Sequence, residues 1–287
     1  MTITLFGVIV SSQSYKTLKN ISYMEVLRMS AIKKAAQKLS KGFSDTTLAA
    51  FIKLANFWIN YFKVLCKMSI DSVHVSISAG NDKIGHAWNV STLPIFTCPN
   101  CKECKRFCYD IRDCIRYGET AANKTMLARA KNTVLLLYYP DKYFHEIDEF
   151  LTKYNGKYKM FRWHVGGEIR DEKQFSKMIE IVKKHSDYIF LTYTKNYFAV
   201  NSFVKHNGGS RKIAIPENFR VMFSEWDGMK LVNPYNFKIF TVKLKGGNKN
   251  HAPEFFDNLY KCPGQCDICK KLNRGCIGYE NTYVDQH

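Results

Sequence analysis

A chain of 287 residues with 46% hydrophobic and 14% aromatic content can bury a large core without disulfide staples, as one large domain or two small ones. Its 43 Lys and Arg against 25 Asp and Glu leave a net charge of +18, which favours anionic partners: nucleic acid, an anionic membrane surface or phosphorylated small molecules. A generally Lys-rich composition accounts for the same numbers, and neither reading fixes a fold.

In chain order, the opening "MTITLFGVIVSSQ" lacks the basic start and small-residue cleavage site of a secretion leader. A reducing cytoplasm is therefore expected, where clustered cysteines serve as metal ligands or catalytic thiols more often than as disulfides. Residues 1–67 read as a basic helical N-terminal extension, with Glu25 and Asp45 as its only acids. Within it, "SDTTLAAFIKLANFWINYFKVLCK" opens with a Ser-Asp cap and then runs apolar, interrupted by Lys53 and Lys63. Those lysines argue against a transmembrane helix. They leave a helix packed on the main domain, or a basic interfacial helix making peripheral membrane contact. Met68 precedes the first clean strand, so residues 1–67 are also readable as an upstream extension.

Residues 68–287 alternate in pattern. Strands are predicted over 71–81, 159–165, 187–194, 219–226 and 237–244, and helices over 119–139, 140–154, 171–185 and 195–207. Strands alternating with helices of this length call for parallel pairing through crossovers. The expected fold is α/β, a partial or open TIM-type barrel; a doubly wound sheet is second, since no glycine fingerprint opens a helix.

Two cysteine groups stand on loops. Cys98, Cys101, Cys104 and Cys108 have C-x2-C-x2-C-x3-C spacing, the count of a bacterial ferredoxin run, although Tyr109 replaces the proline that follows the fourth cysteine. Cys262, Cys266, Cys269 and Cys276 follow as C-x3-C-x2-C-x6-C. Each group has the ligand count for a four-cysteine zinc site or an iron–sulfur cluster. Cys66 and Cys114 read as ordinary buried thiols.

"FRWHVGGEIRDE" ends a strand and opens a helix after two glycines. In barrel enzymes such strand ends converge on the pocket. His164 and Glu168 are placed there for acid–base work or metal ligation, with Gly166 and Gly167 admitting a ligand to the backbone. "LTYTK" offers Tyr193, Thr194 and Lys195 to the same mouth, and "FSEWD" offers Ser224, Glu225 and Asp227. The Gly80-Asn81 turn, with Lys83 nearby, has the form of an anion site or of a plain turn. The competing reading makes His164 a satisfied core histidine and Glu168 a helix N-terminal charge.

"SISAGNDKIGHAWNVSTLPIFTCPNCKECKRFCYD", then "FRWHVGGEI", then "CPGQCDICKKLNRGC" together resemble the gene product 88 family of phage and plasmid proteins. The resemblance covers Ser76 to Cys276. It implies a mobile-element origin and places Cys98, Cys104 and Cys108 on the family's first cysteines and Cys262, Cys266 and Cys269 on its terminal group, with Cys101 additional. His164 and Gly167 match a His-x-x-Gly motif, with Glu168 where aspartate is usual and Gly166 where serine is common. The family's arrangement is distantly similar to radical S-adenosylmethionine barrels. The expected function is therefore a protein binding a cysteine-ligated 4Fe-4S cluster, performing reductive or radical S-adenosylmethionine chemistry on an unknown, nucleotide-bearing substrate if it is an enzyme. The alternative is a zinc-stapled, non-catalytic nucleic-acid-binding protein whose Tyr109 and Trp88 stack on bases.

Overall fold

The computed structural model describes residues 2–5, 8–11, 42–81, 84–99, 104–116 and 124–286. Strands β1 (Thr2–Leu5) and β2 (Val8–Ser11) pair antiparallel, and helix α1 spans Asp45–Met68. Ser44 caps α1 by accepting from the Thr47 amide at 3.1 Å, as the Ser-Asp signal predicts. The rest is β3 (Ile77–Ser78), β4 (Trp88–Val90), α2 (Tyr109–Arg116), α3 (Lys124–Tyr138), α4 (Pro140–Lys153), β5 (Met160–Trp163), α5 (Glu172–Lys184), β6 (Ile189–Thr194), α6 (Tyr197–His206), α7 (Arg211–Ala214), β7 (Phe219–Ser224), β8 (Lys238–Lys243), β9 (Tyr260–Lys261), α8 (Cys266–Leu272) and β10 (Thr282–Asp285).

The sheet is mixed and open, in the order β3-β4-β5-β6-β7-β8-β10-β9. Only β3 and β4 pair antiparallel; the remaining neighbours are parallel. From β4 to β8 the strands lie in chain order without the reversal of a doubly wound sheet. Winding in one direction is what a barrel needs, but here β3 and β9 are edges.

The two faces are covered differently. Phe161, Trp163, Phe190, Val221 and Phe223 join the main core with α1 and α3 to α6. Met160, Leu191 and Met222, one residue out of phase, face Ile84, Ala87, Cys269, Cys276 and Ile277. The segment between β9 and β10 thus covers the face that opposite strands would fill in a closed barrel. A buried side chain of this size contributes about 1.5–3 kcal/mol, so losing the segment would expose a costly apolar surface.

Three local differences from the sequence reading have physical causes. Residues 71–81 form a 3-10 turn at Ile70–Ser72 and a two-residue strand, because side chains take the backbone donors instead of a ladder. Glu146 accepts from the Val75 amide at 2.6 Å, and Asn132 from the Ser76 amide at 2.8 Å. Helix α1 sits in the same core as the main sheet, burying Leu48, Phe51, Leu54, Ile59 and Leu65. The apolar face that an interfacial helix would offer a membrane is therefore occupied, and among the described residues no helix is long and apolar enough to cross one. Trp88 is only 6% exposed and packs on Phe150 and Tyr158, so it has no ring face to offer a base.

Candidate functional site

The C-terminal ends of β5, β6 and β7 carry a polar network. Glu168, buried at 6% exposure, accepts from the Ile169 amide through Oε1 and from the Lys195 amide through Oε2, both at 2.8 Å. One carboxylate thereby ties together the loops that leave β5 and β6. Burial raises the Glu168 pKa, against the lowering pull of Lys195 and of these hydrogen bonds. Thr194 Oγ1 accepts from the Asn196 amide, and Lys195 Nζ donates to Ser224 Oγ at 3.0 Å. At the end of β7, Glu225 is 4% exposed and holds His251 Nε2 at 2.6 Å; the His251 ring stacks on Phe255. Asp227 accepts from the Lys249 amide at 2.7 Å, drawing the 249–251 loop over the strand end.

His164 points elsewhere. It sits in the left-handed region at φ 49° and is 4% exposed, with its Nε2 2.8 Å from Gln174 Nε2 on α5. An amide nitrogen only donates, so His164 Nε2 accepts and the proton lies on Nδ1, a buried atom without a protein partner among the described residues. Burial lowers its pKa to about 4, which keeps the ring neutral. Among the described residues no hydrogen bond links His164 to Glu168; His164 meets Gln174 and Glu168 the Ile169 and Lys195 amides.

Protein atoms fill the space beside both glycines. A Cβ at Gly166 would collide with the Asp110 carboxylate, and one at Gly167, φ 86°, with the Thr92 hydroxyl. Asp110 is buried in an ion pair with Arg129, whose Nη1 reaches Cys114 Sγ at 3.2 Å. Burial raises the Asp110 pKa to about 6, with Arg129 opposing. Gly166 therefore serves the close approach of α2 to the turn after β5, and Gly167 that of the segment after β4. Asn81 Oδ1 accepts from the Ile84 amide at 3.0 Å, closing its own turn. That turn borders a cleft of about 670 Å³, shared with Arg129, Lys131 and Val165. Lys83 lies outside the described residues.

The first cysteine group crosses this strand-end face. The Phe43 amide donates to Arg106 O, the Tyr109 hydroxyl donates to Val165 O, and Phe107 stacks on Trp226. Cys98, Cys104 and Cys108 are part-buried, and Cys101 lies outside the described residues. Burial, then the neighbouring Asp110 charge, push the Cys108 thiol up to about 12, while the Asp110 and Ile111 amides pull it down. Tyr109 is 51% exposed, although its hydroxyl is engaged.

The second group lies on the sheet face opposite the main core. Cys269 and Cys276 are buried there, with Cys262 and Cys266 part-buried. Burial raises Cys276 to about 12; Tyr193 and Thr282 hydrogen-bond its sulfur and lower it, while Cys262 and Cys266 add to the rise. Cys269 is raised by burial and by Cys262 and Cys266, and Tyr260 bonds it. Tyr193 thus belongs to this face rather than to the strand-end mouth. Arg162 packs its guanidinium over the Tyr193 ring at 4.7 Å, and its charge is felt by both Cys266 and Tyr109. Cys66 and Cys114 are buried outside both groups, as the sequence suggests.

Among the described residues, no three His, Cys, Asp or Glu side chains converge as a ready ligand set. The residues unforeseen as site members are Arg162, Asp110, Arg129 and His251. Of these, only Arg162 had a local signal, a lone charge inside the apolar strand "KMFRWHV".

Fold and side chains together define an open, singly wound α/β protein with a cross-linked strand-end network and a thiol-rich sheet face. The chain belongs to the gene product 88 family, whose model, described as "Gene product 88", matches residues 32–238. The match takes in α1 and ends before the second cysteine group. No curated protein and no solved structure matches the chain. A likeness to radical S-adenosylmethionine barrels is not shown.

Proposed function

We propose that this protein binds a metal centre through Cys262, Cys266, Cys269 and Cys276, and that the centre is an iron–sulfur cluster of the 4Fe-4S type. One observation carries the reading: four thiols gather on one sheet face, where Cys262 raises the pKa of Cys266 and both raise those of Cys269 and Cys276, a crowding of sulfurs that a bound cation relieves. The donor set, four sulfurs with Tyr193, Thr282 and Tyr260 as hydrogen-bonding neighbours, suits a thiolate-ligated centre. The group would supply electron transfer, with the chain holding it against the sheet. A radical or reductive use of S-adenosylmethionine is the enzymatic form of this proposal and would draw on Cys101, Cys104 and Cys108. The same sulfurs suit zinc, and the +18 charge favours the second reading, a zinc-stapled nucleic-acid binder.

Iron, sulfide and zinc analysis of anaerobically purified protein tests the choice. Brown protein with iron and sulfide supports the first reading. Colourless protein with stoichiometric zinc refutes it in favour of the second, and protein without metal refutes both.

A further inference from the structure

A second cleft, of about 720 Å³, lies between α6 and the loop that follows β7. Among the described residues, Lys195, Lys205 and Lys230 line it and no carboxylate does. Its volume falls within the range of ligand sites. We propose that this cleft binds single-stranded nucleic acid, with Phe198 stacking on one base and Lys205 and Lys230 holding the flanking phosphates.

Phe198 is the first observation. Helix α6 meets the core through Tyr197, Ala199, Val200, Phe203 and Val204, whereas Phe198 is 79% exposed at the cleft. A large aromatic left in water on the polar side of a well-packed helix contributes nothing to the core. Set between lysines, it forms the aromatic-and-cation platform on which unpaired bases stack. Asn201 is the second. Its Nδ2 donates to Val232 O at 2.9 Å, which ties the loop after β7 to α6 and fixes the wall of the cleft between them.

The charge of the walls selects the ligand. Three cations and no acid attract phosphate, and one open ring face requires a base free of its own stack, which excludes duplex. A polymer rather than a mononucleotide fits the excess of +18, because adjoining phosphates then meet further surface lysines. The proposal does not depend on the metal centre.

Fluorescence anisotropy with full-length protein and a labelled single-stranded oligonucleotide of about 15 nucleotides tests it. Phe198→Ala is expected to weaken binding about tenfold. Lys205→Gln with Lys230→Gln is expected to flatten the slope of log K against log salt by about 1.4, two phosphate contacts at ~0.7 each. All three side chains are exposed, so melting curves should match the unsubstituted protein. The proposal is overturned if the oligonucleotide does not bind, or if it binds with unchanged affinity and slope in both variants. It is equally overturned if a mononucleotide at equal nucleotide concentration displaces the oligonucleotide as well as unlabelled oligonucleotide does, which would assign the cleft to a free nucleotide.

Discussion

Replacing Gly166 by Ala separates two meanings of the His-Val-Gly-Gly-Glu turn. If the glycine admits a ligand, the substitution spares stability and harms binding. If it admits Asp110, stability falls. The added Cβ would approach the Asp110 carboxylate closer than the 3.0 Å that real Cβ contacts respect. Asp110 has little freedom to retreat, since it is buried and paired with Arg129. Overpacking costs about 1–3 kcal/mol and full loss of a buried ion pair about 3–5, so a partly displaced pair should cost ~3 kcal/mol. For a chain of this size that lowers Tm by roughly 6–12 °C, read by circular dichroism melting. Gly246→Ala is the control, because a Cβ there meets nothing within 4 Å, and it should stay within about 0.5 kcal/mol of the parent. In an Asp110→Ala background the cost of Gly166→Ala should shrink by ~1–2 kcal/mol, the coupling expected of groups in contact. An unchanged Tm for Gly166→Ala, or an equal cost in both backgrounds, would refute the reasoning.

The remaining predictions concern His164, Glu168 and the thiols. His164 has its folded pKa lowered to about 4 against an unfolded value near 6.5, so its contribution is present above pH 6.5 and lost as pH falls through about 4. His164→Asn, which tolerates the left-handed backbone, should flatten denaturant stability between those pH values by on the order of 3 kcal/mol; an unaltered slope would assign the acid lability to other groups. Glu168→Ala should cost ~2–4 kcal/mol, because the Ile169 and Lys195 amides each lose their buried carboxyl acceptor, and chemical denaturation should show it. Cys276→Ser should abolish metal content if the C-terminal group binds metal, while Cys114→Ser leaves it unchanged, as metal analysis of both proteins would show.

Long amphipathic helices and apolar strands were legible because their periodicity is local: α5, β6, α6 and β7 lie within two residues of their predicted bounds. What escaped depended on partners remote in the chain. The need for Gly166 is set by Asp110, more than fifty residues earlier, and the anchoring of Glu225 by His251 on a later loop. Strands β9 and β10, two and four residues long, give no pattern above background. The partition of β5 between Phe161 on one face and Met160 on the other is hidden inside one apolar run. His164 and Glu168 were found as marked positions, but sequence could not reveal that one faces Gln174 and the other bridges two loops.

Strands β9 and β10 are parallel neighbours joined by only two register pairs, Tyr260 with Thr282 and Lys261 with Tyr283. The chain between them carries Cys262, Cys266, Cys269 and Cys276, so this short pairing is the clasp of a loop closed on itself. Any species that draws the four sulfurs together shortens the span the clasp must bridge, and by linkage strengthens it. Hydrogen exchange at the Tyr260 and Cys262 amides, bonded to Asn281 O and Tyr283 O, would therefore slow on thiol occupancy, making the sheet's edge a reporter of its loop.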